Sequence, residues 1–176
     1  EASELARFGA KVLHPRNMLT AKNDNIPIVI KNTFYPDHSD TKVTFDESEV
    51  PNTVKAVAIK KDVEVITICS TEMLMTYGFM AKIFSIFANH NTGVDIVATS
   101  EVTVTISVEG TASSELISAL ETLGSVTIEK NLNVIAIVGS GLANNLMPNA
   151  QILNILAENN INAKVITQGS TQINFS

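Results

Sequence analysis

The chain of 176 residues has one cysteine, no tryptophan and only nine aromatic side chains, seven Phe and two Tyr. A lone Cys69 cannot close an intrachain disulfide and matches no zinc or redox spacing, so a reducing, cytoplasmic setting is the expectation. Cations are also scarce. Twelve Lys and Arg against eighteen Asp and Glu leave a formal charge of -6, which argues against nucleic acid or an anionic membrane surface as the main partner. No apolar run approaches the roughly 20 residues that a membrane-spanning helix needs. His14, His38 and His90 have no ligand-spaced partners, and no metal site is expected; His14 reads as the cap of a helix ended by Pro15, and His90 lies near another helix end. What remains is 45% apolar content, enough for one or two modest domains. The chain opens at Glu1, already in helical register, and reads as a piece of a longer protein truncated at both ends.

The most informative pattern is internal repetition. Val65-Ile66-Thr67-Ile68 lies over Val134-Ile135-Ala136-Ile137 at an offset of 69. Without a gap, Ile83 then meets Ile152, Ile86 meets Ile155, Asn91 meets Asn160, Ile96 meets Val165, Val104 meets Ile173 and Ser107 meets Ser176. A gapless register through strand, helix, strand and strand indicates duplication. Within the first copy, Val65–Cys69 reads as a strand and Phe79, Ile83, Ile86, Phe87 and His90 form a helical stripe. Val94–Thr99 and Val102–Val108 follow as an antiparallel pair, the second alternating Thr and Ser with Val and Ile. Leu116, Ile117, Leu120 and Leu123 mark a second helix with Gly124 just past its end, and Val126–Glu129 closes the unit. The order βαββαβ predicts an α+β, ferredoxin-like architecture. The second copy runs out at Ser176, before a second helix and fourth strand, and Val54–Ile59 is a candidate for the missing strand.

The first part of the chain differs. Ala2–Leu13 reads as a helix, Arg16–Asn23 as a helical turn, Pro27–Lys31 as a buried strand and Asn32–Asn52 as a polar loop and linker. The expected organisation is 1–52, 53–133 and 134–176, with segment 54–59 able to pair with the last unit.

Three segments carry a resemblance. Glu4–Pro15 (ELARFGAKVLHP) with Asn25–Phe34 (NIPIVIKNTF) resembles the end of the aspartate kinase catalytic domain. Ser70–Phe84 (STEMLMTYGFMAKIF) with Val94–Val102 (VDIVATSEV) resembles the first of that family's two ACT regulatory modules, and Val165–Ser176 (VITQGSTQINFS) resembles the second. The resemblance implies tandem ferredoxin-like ACT modules preceded by the tail of an amino-acid-kinase α/β domain. It implies a parent enzyme that uses ATP, with Mg, to phosphorylate the side-chain carboxylate of L-aspartate, and a feedback amino acid, lysine or threonine, that binds the ACT modules. It also implies a homodimer built through those modules. Lys11 and Val12 fall at the nucleotide site of the family, whose remaining parts lie upstream, so the fragment alone is expected to be inactive. Relatives usually carry Gly-Thr after the NTF stretch, where this chain has Asp40-Thr41. A module of a kinase fused to homoserine dehydrogenase, or of another biosynthetic protein, is the alternative.

An amino-acid effector presents a carboxylate and an ammonium. Gly78 precedes a helix whose unpaired N–H groups and dipole favour an anion, so the carboxylate is expected at Gly78, Phe79 and Met80. Asp95 and Glu101 could accept from the ammonium, giving one site of Thr76, Gly78, Phe79, Met80, Val94, Asp95, Ser100 and Glu101. The family places Met73 at its edge. Gly78 also suits a plain turn, and the two acids suit solvated strand ends. At the offset of 69, Gly78 becomes Met147, Asp95 becomes Lys164 and Glu101 becomes Ser170, so only the first module is expected to bind. Two acids near one helix tip favour lysine over threonine. Gly139-Ser140-Gly141 reads as a turn rather than a dinucleotide loop, and a sheet bearing Thr and Ser does not suit RNA stacking.

Overall fold

The computed structural model describes residues 2–7, 13–44, 54–139, 142, 146–169 and 172–175. Helix α1 (Ala2–Arg7) and helix α2 (Pro15–Asn23) come first. Pro15 opens α2 rather than ending α1, and the carbonyl of His14 accepts from the N–H of Asn17 and of Met18. His14 therefore caps the start of a helix rather than the end of one. Strand β1 (Ile28–Ile30) is half exposed, not buried, and pairs antiparallel with β2 (Thr41–Val43). The β-branched ends of Thr41-Lys42-Val43 thus make a short strand inside a stretch that reads as loop from composition.

The main sheet explains the repeat. Strand β3 (Ala56–Cys69) and strand β6 (Ser125–Val138) each run 14 residues and coincide at the offset of 69. So do β4 (Val97–Thr99) with β7 (Ile166–Gln168), and the start of β5 (Thr103–Glu109) with β8 (Gln172–Phe175). Helix α3 (Phe79–Asn89) matches α5 (Met147–Glu158) to within a residue. The backbone repeats as well: Asp62 and Asn131 have φ of 57° and 58°, and Asn91 and Asn160 have φ of 51° and 56°. Left-handed conformations are uncommon outside glycine, and short polar side chains tolerate them best. Their recurrence at one offset confirms duplication in the backbone itself.

The six strands lie in the order β4-β5-β3-β6-β8-β7. Each long strand serves both units. Ile66–Cys69 pairs with Ser125–Ile128, while Ala56–Lys60 pairs with Val134–Val138, across register shifts between Lys60 and Val65. Ala56–Lys60 therefore stands beside β6 in the second unit, at the place that Ser125–Ile128 holds beside β3 in the first. Each half has the strand order of a ferredoxin-like unit.

Helix α3 and helix α4 (Ser114–Glu121) cover one face of the first unit over Ile66, Ile68, Val104 and Ile106, all without exposed surface. A fully buried aliphatic side chain contributes about 1.5–3 kcal/mol, so this layer dominates the stability of the unit. Gly124 follows α4 for a different reason than a helix cap. A Cβ there would lie 2.3 Å from the carbonyl oxygen of Cys69, so the turn fits against β3 only without a side chain. On the opposite face Val63, Val65 and Ile96 meet Val134, Ala136 and Val165. That second core joins the two units. In the second unit Val57 and Ile59 remain more than half exposed, whereas Val126, the counterpart of Val57, packs into the core that α4 completes.

Candidate functional site

Strand β3 ends at Cys69, and a 3-10 turn (Thr71–Leu74) leads to Gly78. Gly78 has φ of 77° and no side-chain cap bond follows it. The left-handed conformation explains the glycine, and nothing lies within 4 Å of where its Cβ would stand. The first N–H groups of α3 have no carbonyl one turn earlier, so this tip carries partial positive charge into open space. Phe79 is buried in the first core, and Met73 and Met80 pack against it. Thr76 is half-buried beside them.

The hairpin between β4 and β5 stands at this same end. Ser70 N–H donates to the carbonyl of Val102 at 2.8 Å, and Ser100 N–H donates to the carbonyl of Thr103 at 2.8 Å. The Ser100 hydroxyl accepts from Thr103 N–H at 3.1 Å, closing the turn, and Glu101 is exposed at its apex. The structure thus brings Met73, Thr76, Gly78, Phe79 and Met80 to the end of the sheet that carries Ser100 and Glu101.

Val94 and Asp95 lie elsewhere. They follow the C-terminal end of α3, and Asp95 N–H donates to the carbonyl of Ser107 at 2.9 Å, partway down β5. Eleven helical residues span about 16 Å, and five extended residues from Asp95 to Ser100 span about as much. Within one chain, then, the two acids do not flank one helix tip. The nine residues fall into two groups at opposite ends of β4, because the helix reverses direction between Gly78 and Asp95.

Asp95 is also engaged. Lys60 Nζ lies 2.6 Å from its carboxylate and 2.8 Å from that of Glu109. The Lys60 and Asp95 side chains keep only 15% and 16% of their surface, whereas Glu109 keeps 75%. Burial by itself pushes the Lys60 ammonium down, but the bonds to Asp95 and Glu109 outweigh it and hold the pKa above its ordinary value. The repeat gives this pair a counterpart of reversed sign. Lys60 and Asp95 map onto Glu129 and Lys164, which pair at 2.8 Å. Lys164 is therefore the other half of a swapped ion pair, and its presence does not by itself mean a lost ligand site. Neither Lys60 nor Glu109 is singled out by sequence motifs. Reading positions 60 and 95 together at the offset of 69 reveals the exchange.

Lys11, Val12, Gly141 and Ser170 lie outside the described residues. Among the described residues no group of three His, Cys, Asp or Glu could hold a metal ion, and no helix is long and apolar enough to cross a membrane. A cavity of about 280 Å³ opens on the second unit between β6 and α5, lined by Leu132, Ile135, Leu156 and Ile161 and by three asparagines. It contains none of the nine candidate site residues.

Two interlocked ferredoxin-like units, one with an open glycine-led helix tip, define a tandem ACT-module protein. The ACT domain family model matches residues 135–176. The chain is 35% identical over its whole length to aspartokinase 3, chloroplastic, of Arabidopsis thaliana, and spans about a third (33%) of the length of that relative. Two crystal structures of Escherichia coli aspartokinase III cover 99% of the chain at 31% identity. One, with aspartate and ADP in the R-state, has a TM-score of 0.85 over 41% of its own chain. The other, with lysine and aspartate in the T-state, has 0.81 over 40%. A structure named as a C-terminal regulatory domain of aspartate kinase from Porphyromonas gingivalis W83 matches at 32% identity, with a TM-score of 0.59, over 68% of this chain and 83% of its own. The chain belongs to the aspartokinase family.

Proposed function

We propose that this chain is the regulatory end of an aspartate kinase that binds a feedback amino acid, lysine in preference to threonine, on its first ACT module. The whole enzyme transfers the terminal phosphoryl group of ATP, with Mg, to the side-chain carboxylate of L-aspartate. Lys11 and Val12 belong to its nucleotide site. The E. coli relative with bound lysine supports the choice of effector, and the ADP complex supports the nucleotide. For this chain a reducing cytoplasmic compartment is our reading, while the Arabidopsis relative is named chloroplastic.

The observation that carries the effector site is the split of its residues between the two ends of β4. That strand pairs with β5 on one side and stands at the end of the sheet order. Two copies placed with their β4 edges antiparallel around a two-fold axis bring Asp95 of each beside the Gly78 tip and the Ser100-Glu101 turn of the other. The ammonium groups of lysine then meet carboxylates, and its α-carboxylate meets the helix tip. The homodimer is thus part of the site, an isologous arrangement in the sense of closed symmetry.

Titration calorimetry with lysine, threonine and methionine, run beside sedimentation, tests the proposal. We expect lysine to bind most tightly and to shift the chain toward dimer. Asp95→Ala should abolish binding and Lys164→Ala should leave it intact. The reverse pattern between those two variants overturns the assignment to the first module.

A further inference from the structure

Asp95, the acid that reads as the effector's ammonium acceptor, already holds an ammonium, that of Lys60 at 2.6 Å. Lys60 reaches Glu109 at the same time, at 2.8 Å. Within the trio two carboxylates face one cation.

The two partners of Lys60 differ in kind. Asp95 is mostly buried and fixed by its backbone to β5, whereas Glu109 is largely exposed. An ammonium arriving at Asp95 can therefore displace Lys60 toward Glu109 without leaving either charge unpaired. Lys60 also belongs to the half of β3 that pairs with the second unit, while Asp95 leads into β4 of the first. The bond is consequently a latch between units. Glu129 and Lys164 form its counterpart, with Glu129 on the half of β6 that pairs with the first unit and Lys164 leading into β7 of the second. Here the residue before the edge strand is a cation, which repels an ammonium ligand.

We propose that Lys60 is a built-in competitor for the effector's ammonium at Asp95, and that it yields that carboxylate by transfer to Glu109, a second partner in the same unit. The sign reversal leaves only the first latch open to an ammonium ligand. The proposal rests on the reading of Asp95 as part of the effector site, and it adds a residue that sets affinity from outside the ligand's contacts.

Calorimetry on the chain with L-lysine and L-threonine as probes tests it, using Lys60→Met, Glu109→Gln and Asp95→Asn. Ligand-free thermal melts identify which variants are folded. Competition requires Lys60→Met to bind lysine more tightly, with Kd lowered about tenfold, the order expected when one charge-assisted bond no longer has to be exchanged. It requires Glu109→Gln to bind more weakly, because Lys60 then has Asp95 as its one partner in the trio. If Lys60→Met does not fold, the exposed Glu109→Gln change decides, and unchanged or tighter binding overturns the proposal. If Asp95→Asn loses binding while Lys60→Met binds no more tightly, the competition fails and the site stands. If Asp95→Asn binds as the unaltered chain does, or neither amino acid binds the unaltered chain, the site fails and the competition with it.

Discussion

Glu64 offers a direct test of what holds the first unit together. Its side chain keeps only 6% of its surface, an unusual state for a carboxylate. One oxygen accepts from the N–H of Ala112 at 2.9 Å, and the other lies 3.3 Å from Lys130 Nζ. Ala112 immediately precedes Ser113, whose hydroxyl caps α4 by accepting from Leu116 N–H. Glu64 thus ties the start of α4 to the central strand. Two interactions are at stake, and their sizes differ. Lys130 keeps 57% of its side-chain surface, so water screens the ion pair and its loss costs about 0.5–1 kcal/mol. Removing the acceptor leaves a part-buried N–H without its partner, which costs about 1–3 kcal/mol. Glu64→Gln keeps an oxygen for Ala112 and loses only the charge, so it should destabilise by under about 1 kcal/mol. Glu64→Ala loses acceptor, charge and packing, and should destabilise by about 2–4 kcal/mol. Urea denaturation at neutral pH, with equal slopes, reads both differences. A Gln variant as unstable as the Ala variant would place the stabilisation in the charge and refute the ranking.

Two further outcomes follow from other contacts. Gly124→Ala forces a Cβ into the Cys69 carbonyl, whereas Gly93→Ala enters open space; thermal melts should show a loss of about 2 kcal/mol or more for the first and little change for the second. Because the folded pKa of Lys60 is raised above 10.5, its charge stabilises the fold fully below that pH and ceases to do so as pH rises through the folded value. The stability difference between the unaltered chain and Lys60→Met, followed by denaturation between neutral and strongly alkaline pH, should therefore shrink at the alkaline end, and a constant difference refutes the pairing.

Much of the architecture is legible before any coordinates because duplication constrains two stretches at once. The offset of 69 locates strands and helices in both units, and a segment near 54–59 is expected as the missing partner strand. The length of β3 is hidden, however. Lys60, Lys61 and Asp62 interrupt the apolar alternation, and only a register shift with Asp62 in the left-handed region carries the strand through them. Gly124 looks like a helix terminator, while its constraint comes from a strand 55 residues away, which no local pattern records. The candidate site is legible as a set of residue types and misread as a place. Proximity in sequence puts Asp95 near α3, yet it follows the end of that helix opposite to Gly78. The ion pair on Asp95 depends on a lysine 35 residues earlier, and a charge run on a strand reads by default as a solvated face.

The reversed pairs allow structure and ligand chemistry to be separated. If positions 60 and 95 serve only as a latch, the arrangement of the second unit should work equally well in the first. Lys60→Glu alone sets three carboxylates together, and Asp95→Lys alone sets two ammonium groups at ion-pair distance, so each single change should destabilise by about 1–3 kcal/mol. The double variant Lys60→Glu with Asp95→Lys rebuilds the order of Glu129 and Lys164, and a double-mutant cycle should recover about 1–2 kcal/mol of coupling. Glu109 remains beside the new glutamate, so recovery should be incomplete, and adding Glu109→Gln should complete it. Lysine binding should not return in either combination, because the position before β4 would then carry a cation. Denaturation and calorimetry on the same samples decide the matter: recovered stability without binding assigns Asp95 both roles, whereas recovered binding shows that the effector never needed an acid there.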